Sequence, residues 1–340
     1  MGTIFPDCPA NALHGKGTTM TRWLLTTLAG ALLAVAAAHA QDYPSKPIRI
    51  VVPFPPGGPT DLAARIIADT MSRSFGQTTV VENVAGAGGV LGTERVAKSA
   101  PDGYTVLMGS SGALSVAPSL YPKLGFDPVK DLAPVSLVLR IPGYLVVNPS
   151  VPVASVKELI EYVKGKPGQL SYASAGNGTS LHTNMELFKT MAGLQILHVP
   201  YRGSAPSAAA VVGGEVQMAM DMGPVVLPHV RTGRLKVLAV TTDVRARALP
   251  DVPTMAEAAL PGFSAFAWFG MMVPAGVPRD VVPKLHAQVV KAMEPADVRK
   301  RMEDLGAEVV AGTPEEFGAF QRSEVVKWAK VVKDAAIKVD

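Results

Sequence analysis

The chain has 340 residues, a formal net charge of +4 and a single cysteine, Cys8. A charge so small and dispersed argues against a nucleic-acid partner, and one thiol supports neither a disulfide scaffold nor a thiolate metal site. Stability must come from the core, and a chain of roughly 300 residues can bury about 75% of its unfolded surface.

Met20-Thr21-Arg22 opens a short basic segment, Trp23 to Ala37 is apolar, and Ala38-His39-Ala40 fits a signal-peptidase site. Residues 1–40 are therefore expected to be an upstream extension plus a leader cleaved after Ala40, with either Met1 or Met20 as the true start. The apolar run falls short of the roughly 20 residues that span a bilayer, which argues against a membrane anchor. Cys8 lies in the part removed, so the exported chain has no thiol.

Beyond the leader, strand, loop and helix alternate without long linkers, an α/β signature. Ile48 to Phe54 reads as a strand, followed by Pro55-Pro56-Gly57-Gly58-Pro59-Thr60-Asp61 and then by Leu62, Ala63, Ile66, Ile67, Thr70 and Met71 at helical spacing. A second unit repeats the logic: Val80-Val81-Glu82-Asn83, then Gly86-Ala87-Gly88-Gly89, then a helix toward Val96. Successive parallel strands place such loops side by side at one sheet edge, where helix N-terminal amides can receive an anion. Neither loop contains lysine or arginine, so an acid held there is held by backbone N–H groups and water.

Tyr104 to Ser110 is the third strand, followed by Ser111-Gly112 and a proline-punctuated stretch to Pro128. A second series starts with a strand at Tyr144 to Asn148 and a helix from Ser155, with Glu158 completing a capping box. Leu170 to Ala173, the loop Ser174-Ala175-Gly176-Asn177-Gly178-Thr179 and a helix ending before Gly193 follow. Then come strands at Ile196 to Val199, Met218 to Asp221 and Val237 to Val240, with helices opened near Pro206 and closed by Gly233. After Phe266 to Met272 the chain is mainly helical, and Thr313-Pro314-Glu315-Glu316 caps the last long helix.

Several residues have two readings. Gly86-x-Gly88-x-x-x-Gly92 mimics a dinucleotide fingerprint, but Ser110-Ser111 stands where a ribose-binding acid is expected. Gly109-Ser110-Ser111-Gly112 lacks the spacing of a hydrolase elbow and reads as a turn whose hydroxyls line a cleft. His182, His198, His229 and His286 are not spaced as metal ligands and read as structural, with His182 near enough to Thr179 to reach the cleft. Asp61 complements a helix dipole or contacts ligand, and Asp221 is a turn residue or an acceptor for a ligand amine or hydroxyl. Arg202 grips a carboxylate or faces solvent, and Phe54 covers a ligand or joins the core. Thr179 and Ser180 present hydroxyl and amide at a helix start.

Blocks spread through the whole exported chain carry a resemblance. Tyr43-Pro44-Ser45-Lys46-Pro47-Ile48-Arg49, Pro53-Phe54-Pro55-Pro56-Gly57-Gly58, Val81-Glu82-Asn83 with Gly86 to Gly89, Pro101-Asp102-Gly103-Tyr104-Thr105, Tyr172 to Thr179, His198-Val199-Pro200-Tyr201-Arg202-Gly203 and Pro253-Thr254 with Glu257-Ala258 closely resemble the Bug-type receptors. These are the extracytoplasmic solute-binding proteins of tripartite tricarboxylate transporters. Ala259 departs from the family, which has glycine after Glu-Ala.

The resemblance implies a type II-like periplasmic binding protein. Its two lobes, each a mostly parallel sheet flanked by helices, are expected at 41–142 with 265–340 and at 143–264, with segments near 132–143 and 263–272 crossing between them. The expected ligand-binding set is Phe54, Pro56, Gly57, Gly58, Thr60, Asp61, Gly86, Ala87, Gly88, Gly89, Ser110, Ser111, Ser174, Gly176, Asn177, Gly178, Thr179, Ser180, Tyr201 and Asp221. The resemblance further implies a monomer without metal, cofactor or catalytic residues that captures a tricarboxylate, dicarboxylate, acidic amino acid or aromatic acid and delivers it to membrane permease subunits. A ligand-presenting sensor for a membrane kinase and an exported hydrolase or isomerase on the same scaffold remain the alternatives.

Overall fold

The computed structural model describes residues 1–3 and 43–337, so the expected leader falls almost wholly outside the described residues. From Lys46 onward the chain is one compact unit. Among the described residues no helix is long and apolar enough to cross a membrane.

The first half builds as its hydrophobic runs dictate. β1 (Ile48–Val52) is buried on both faces, as a central parallel strand must be. It leads into α1 (Pro59–Phe75), which Gly76 closes in the left-handed conformation. β2 (Thr79–Asn83), a 3₁₀ turn at Ala87–Gly89, α2 (Val90–Ala97) and β3 (Thr105–Ser110) follow. β1 pairs in parallel with β2 on one side and β3 on the other. Beyond β3 the expected loop is helical instead: a π-helical turn, Gly112–Val116, runs into α3 (Ala117–Leu120). Pro118 signals a break in sequence, yet it sits at the start of α3, where a missing N–H is tolerated. Wide π turns of this kind recur beside functional sites.

β4 (Leu132–Val147) is a single 16-residue strand, where sequence suggested a crossing segment and a separate strand from Tyr144. It bulges at Pro134, one of the few sheet settings proline accepts. Its residues up to Pro142 pair antiparallel with β9 (Phe266–Pro274), and from Gly143 it pairs with β7 (Met218–Met222) and β8 (Lys236–Val240). The Pro142-Gly143 step is thus where β4 passes from one half of the sheet to the other.

α4 (Val156–Lys164) is capped by Ser155 Oγ, which accepts from the Glu158 N–H at 3.2 Å. The expected capping box is only half made, because the Glu158 carboxylate accepts instead from the Ala154 N–H. β5 (Ser171–Ser174), α5 (Ser180–Ala192), β6 (Leu197–Pro200), α6 (Ser204–Gly213) and α7 (Gly223–Arg231) complete this half around β7, with the short α8 (Met255–Ala258) after β8. β5 pairs in parallel with β6 and β7. Each half is therefore mixed, a parallel trio edged by antiparallel strands, rather than mostly parallel as expected.

After β9 come α9 (Val281–Met293), α10 (Ala296–Asp304), the two-residue β10 (Glu308–Val309) against β4, and α11 (Pro314–Asp334). The cap expected from sequence is made as a capping box between Thr313 and Glu316. α11 reaches both halves. Phe317 packs edge-on against Trp268 at 5.7 Å, while Trp328, Val331 and Val332 share a buried cluster with Tyr172, Met185 and Phe188.

Gly270 in β9 is the tightest point of this core, since a Cβ there would lie 2.1 Å from Phe317 Cζ. Gly270→Ala is expected to cost about 1 to 3 kcal/mol by overpacking. Denaturant unfolding of Gly270→Ala, Phe317→Leu and the double variant checks this: the double variant should recover most of the loss, and purely additive losses would contradict it.

Candidate ligand-binding site

β1, β2 and β3 end on one sheet edge, and β5, β6 and β7 end on an edge of the other half. The glycine loops that leave these strands meet. A Cβ placed on Gly88 would lie 3.6 Å from the Asn177 carbonyl oxygen, and one on Gly112 would lie 3.1 Å from that of Gly178. Gly88 is also in the left-handed region (φ 63°), so a side chain there is strained, although its Cβ alone would make only an ordinary contact with Asn177. Gly178 packs so closely on Leu120 that a Cβ would come within 2.6 Å of Leu120 Cδ2.

Ala87, Gly88, Val90, Gly112, Ala117, Leu120, Tyr121, Asn177 and Gly178 line this junction, which in this conformation is shut too tightly to admit a water. Loop backbone makes one wall and apolar side chains the other. Burial raises the Tyr121 phenol above its usual range, so it stays a neutral donor. Among the described residues the N–H groups of Gly58, Gly88 and Asn177 make no hydrogen bond, whereas those of Gly57, Gly89 and Gly178 donate to the Asp61 carboxylate, the Gly86 carbonyl and His182 Nδ1. A wider open groove of about 460 Å³, walled by Tyr144, Arg245, Arg247, Arg299 and Glu303, lies away from the glycine loops and holds none of the expected binding residues.

The first two loops are clasped by a polar cluster. Asp61, buried at 4% exposure, accepts from the Gly57 N–H at 3.0 Å, from Arg65 Nε at 2.9 Å and Nη2 at 3.0 Å, and from Asn83 Nδ2 at 2.9 Å. Asn83 Nδ2 also donates to the Phe54 carbonyl at 3.0 Å. Burial opposes the charge on Asp61, but Arg65, Asn83 and the Gly57 amide outweigh it and hold the carboxyl below its usual range. Both oxygens are occupied, so Asp61 shapes the loops. Sequence missed Arg65, which lies one turn into α1. The i, i+4 spacing to Asp61 was the signal that could have found it.

The remaining expected residues fall into groups. Gly86, Ala87, Gly88, Gly89, Ser110 and Ser111 lie together, with Ser110 Oγ 3.3 Å from a Cβ placed on Gly89 and 3.5 Å from the Ala113 N–H. Phe54 is half-buried, edge-on to Phe269 at 6.0 Å and close to Gly89. Thr60 is buried, while Pro56, Gly57 and Gly58 face open space. In the other half Gly176, Asn177, Gly178, Thr179 and Ser180 form one loop before α5, but Thr179 Oγ1 donates to the Gly176 carbonyl at 2.8 Å and makes no cap bond. Ser174 is fully buried, its Oγ 2.6 Å from His198 Nε2. Tyr201 donates its hydroxyl to Glu215 at 2.9 Å. Arg202 is exposed. His182 lies buried under the loop, its Nδ1 accepting from the Gly178 N–H at 3.1 Å. Ala117, Leu120 and Tyr121 were missed because the helical turn that presents them was read as loop, and Val90 was missed although its helix α2 was expected.

Asp221 ends β7 fully buried. Its Oδ1 accepts from Ser204 Oγ and from the Met222 N–H, Ser207 faces the carboxyl without completing hydrogen-bond geometry, and Oδ2 has no partner among the described residues. Burial pushes the carboxyl up to about 7, against the bonds from Ser204 and Met222.

Comparison with known proteins gives one family. Residues 63–337 match the model of the tripartite tricarboxylate transporter family receptor. The chain is similar to Protein BugT of Bordetella pertussis, with 40% identity over 325 residues that cover 94% of this chain and 99% of that protein. Among solved structures it resembles R. palustris Rpa4515 with adipate, at 37% identity and a TM-score of 0.80 over 87% of this chain and 99% of that one. It also resembles MatC from Rhodopseudomonas palustris with bound malate, at 36% identity and a TM-score of 0.77 over 85% and 100%.

The raised Asp221 carboxyl has a signed consequence. A folded-state value above the unfolded one adds stability at low pH that is lost as pH rises through about 7. Asp221→Asn, which does not titrate, should therefore gain on the native chain by roughly 2 to 3 kcal/mol between pH 5 and pH 8. Denaturant unfolding of both proteins at the two pH values measures it, and a gap that does not move with pH would contradict the assignment.

Proposed function

We propose, on the premise that this chain belongs to the tripartite tricarboxylate transporter receptor family, that it captures a small organic carboxylate at the junction of its glycine loops and delivers it to membrane permease subunits. The observation that carries this reading is the meeting of the 86–89, 110–112 and 176–179 loops, backbone against backbone, with no lysine or arginine within them. Free amides suit a carboxylate. They are fixed in direction by the fold and need no reorganisation to bind. Apolar walls from Val90, Ala117 and Leu120 favour an acid with a hydrocarbon body over one with many hydroxyls.

Relatives solved with adipate and malate make a dicarboxylate the first class to test. The protein works after export, as a monomer in the periplasm, and turns nothing over: among the described residues the Ser174–His198 contact brings a hydroxyl to an imidazole, but Ser174 is fully buried. The segments 41–142 with 265–340 and 143–264 act as two lobes. Gly178 against Leu120 closes the junction, so an acid enters only when the lobes part about β4 and β9.

Thermal unfolding with a panel of mono-, di- and tricarboxylates, amino acids and aromatic acids tests capture. A bound acid at a hundred times its dissociation constant should add about 2.7 kcal/mol. Chromatography should recover that acid unchanged after prolonged incubation. No stabilisation by any acid would overturn the reading, and consumption of a bound acid would replace it with an enzyme. Small-angle scattering should show a smaller radius of gyration at saturation, and an unchanged profile would contradict closure by lobes.

A further inference from the structure

Beneath the 176–179 loop lies a column of rings that carboxylate capture does not by itself require. His182 stacks on His198 with centroids 4.0 Å apart and planes 6° apart, and His198 stacks on Tyr172 at 4.8 Å. The column touches the loop at two points. Gly178 N–H donates to His182 Nδ1 at 3.1 Å, and Ser174 Oγ, 2.6 Å from His198 Nε2, accepts from the Gly176 N–H at 3.1 Å. At its far end the Tyr172 hydroxyl donates to Glu186, which Lys189 also holds at 2.6 Å.

A nitrogen that accepts from an amide carries no proton. The Gly178 contact therefore fixes His182 as the neutral tautomer with hydrogen on Nε2. Its ring cannot swing away, because His198 covers one face and the helix backbone of α5 carries it. The parallel stack also opposes two positive charges 4 Å apart.

We propose that His182 is the positioning residue of the second-half binding loop: its unprotonated Nδ1 holds the Gly178 amide, so the Asn177 and Gly178 backbone keeps its place only while the imidazole is neutral. The proposal rests on the reading of 176–179 as a binding loop, but the hydrogen bond is testable without any ligand. Acid then releases the loop by turning an acceptor into a donor that faces another donor.

On α5 and on the elements packed against it, the titratable groups either disfavour protonation of His182 or are engaged with other partners. On its own helix Lys189 disfavours protonation, Glu186 is engaged with Tyr172 and Lys189, and from β6 comes His198. Asp221 on β7 is turned to Ser204 at the start of α6, and on α11 Glu324 pairs with Lys327, Trp268 and Trp328. Burial first, and then Lys189, pushes His182 down to about 4. His198 falls to about 4 through burial, with His182 the next cause. Both rings are thus neutral near pH 7, and the loop loosens as pH falls toward 4.

Nitrogen-15 NMR of the ligand-free protein between pH 7.5 and 3.5 tests this, with His182→Ala and His182→Asn beside the native chain. Asparagine places its Oδ1 where Nδ1 stood and does not titrate. The native protein should show hydrogen on His182 Nε2 and not Nδ1, with the ring and the Gly178 amide titrating at one shared midpoint near 4. Gly178 amide exchange should accelerate at least tenfold in His182→Ala and return to within about threefold of native in His182→Asn, whose Gly178 signal no longer titrates. Unchanged Gly178 exchange in His182→Ala, or an acid titration of Gly178 that survives in His182→Asn, would overturn the proposal. If His182→Ala does not fold, the tautomer and the asparagine variant decide alone: hydrogen on Nδ1 overturns it, as does a titrating Gly178 in the variant.

Discussion

Every loop that meets at the junction is placed by β4, because residues 132–142 of that strand pair with β9 and residues 143–147 pair with β7 and β8. One strand thus sets the register of both halves. Pro142 cannot donate to a ladder, and Gly143 accepts close approach: its N–H takes Thr241 Oγ1 at 2.9 Å, and a Cβ would lie 3.0 Å from that oxygen. The step is where the strand changes partners. In the proposed opening, bending there would change the distance between loops while leaving the hydrogen bonds inside each loop intact.

The loops themselves are held by polar clusters, each built around a buried group. Asp61, Arg65 and Asn83 join the first two loops, and His182, His198 and Ser174 join the third to its sheet. A buried charge or imidazole left unpaired would cost several kcal/mol. These clusters satisfy theirs, and in doing so they consume some amides and leave others, at Gly58, Gly88 and Asn177, without partners among the described residues. Preorganised neutral donors bind an anion without a cation and so discriminate weakly among the bodies attached to it. In the proposed site the apolar wall at Val90, Ala117 and Leu120 is the part that would sense the rest of the molecule.

Much of this was legible in the sequence. The β1 run Ile48 to Val52 and the glycine loops after β1 and β2 announce themselves, because a both-sides-buried strand ending in glycine and proline has few other readings. Capping residues located the last helix for the same local reason. What depended on distant partners was not legible. Arg65 looks like a surface charge until Asn83 is seen beside Asp61, and Thr179 looks like a cap until its hydroxyl turns to Gly176. Leu120 and Tyr121 were hidden because Pro118 suggests a break, whereas the wide turn before it carries the helix on. The split pairing of β4 likewise needs both halves of the sheet to be present at once.

In the proposed site backbone amides, and not a side-chain cation, hold the acid. Calorimetric titration of Gly88→Val and Arg202→Ala with the acid found by mass spectrometry of the denatured native protein tests it most directly, once circular dichroism shows both variants folded. Valine at position 88 adds a branched side chain at positive φ against the Asn177 carbonyl and should abolish binding. Loss of the exposed Arg202 should cost no more than about 1 to 2 kcal/mol. Normal binding by Gly88→Val together with none by Arg202→Ala would move the site to a cationic pocket in the second half and contradict the account.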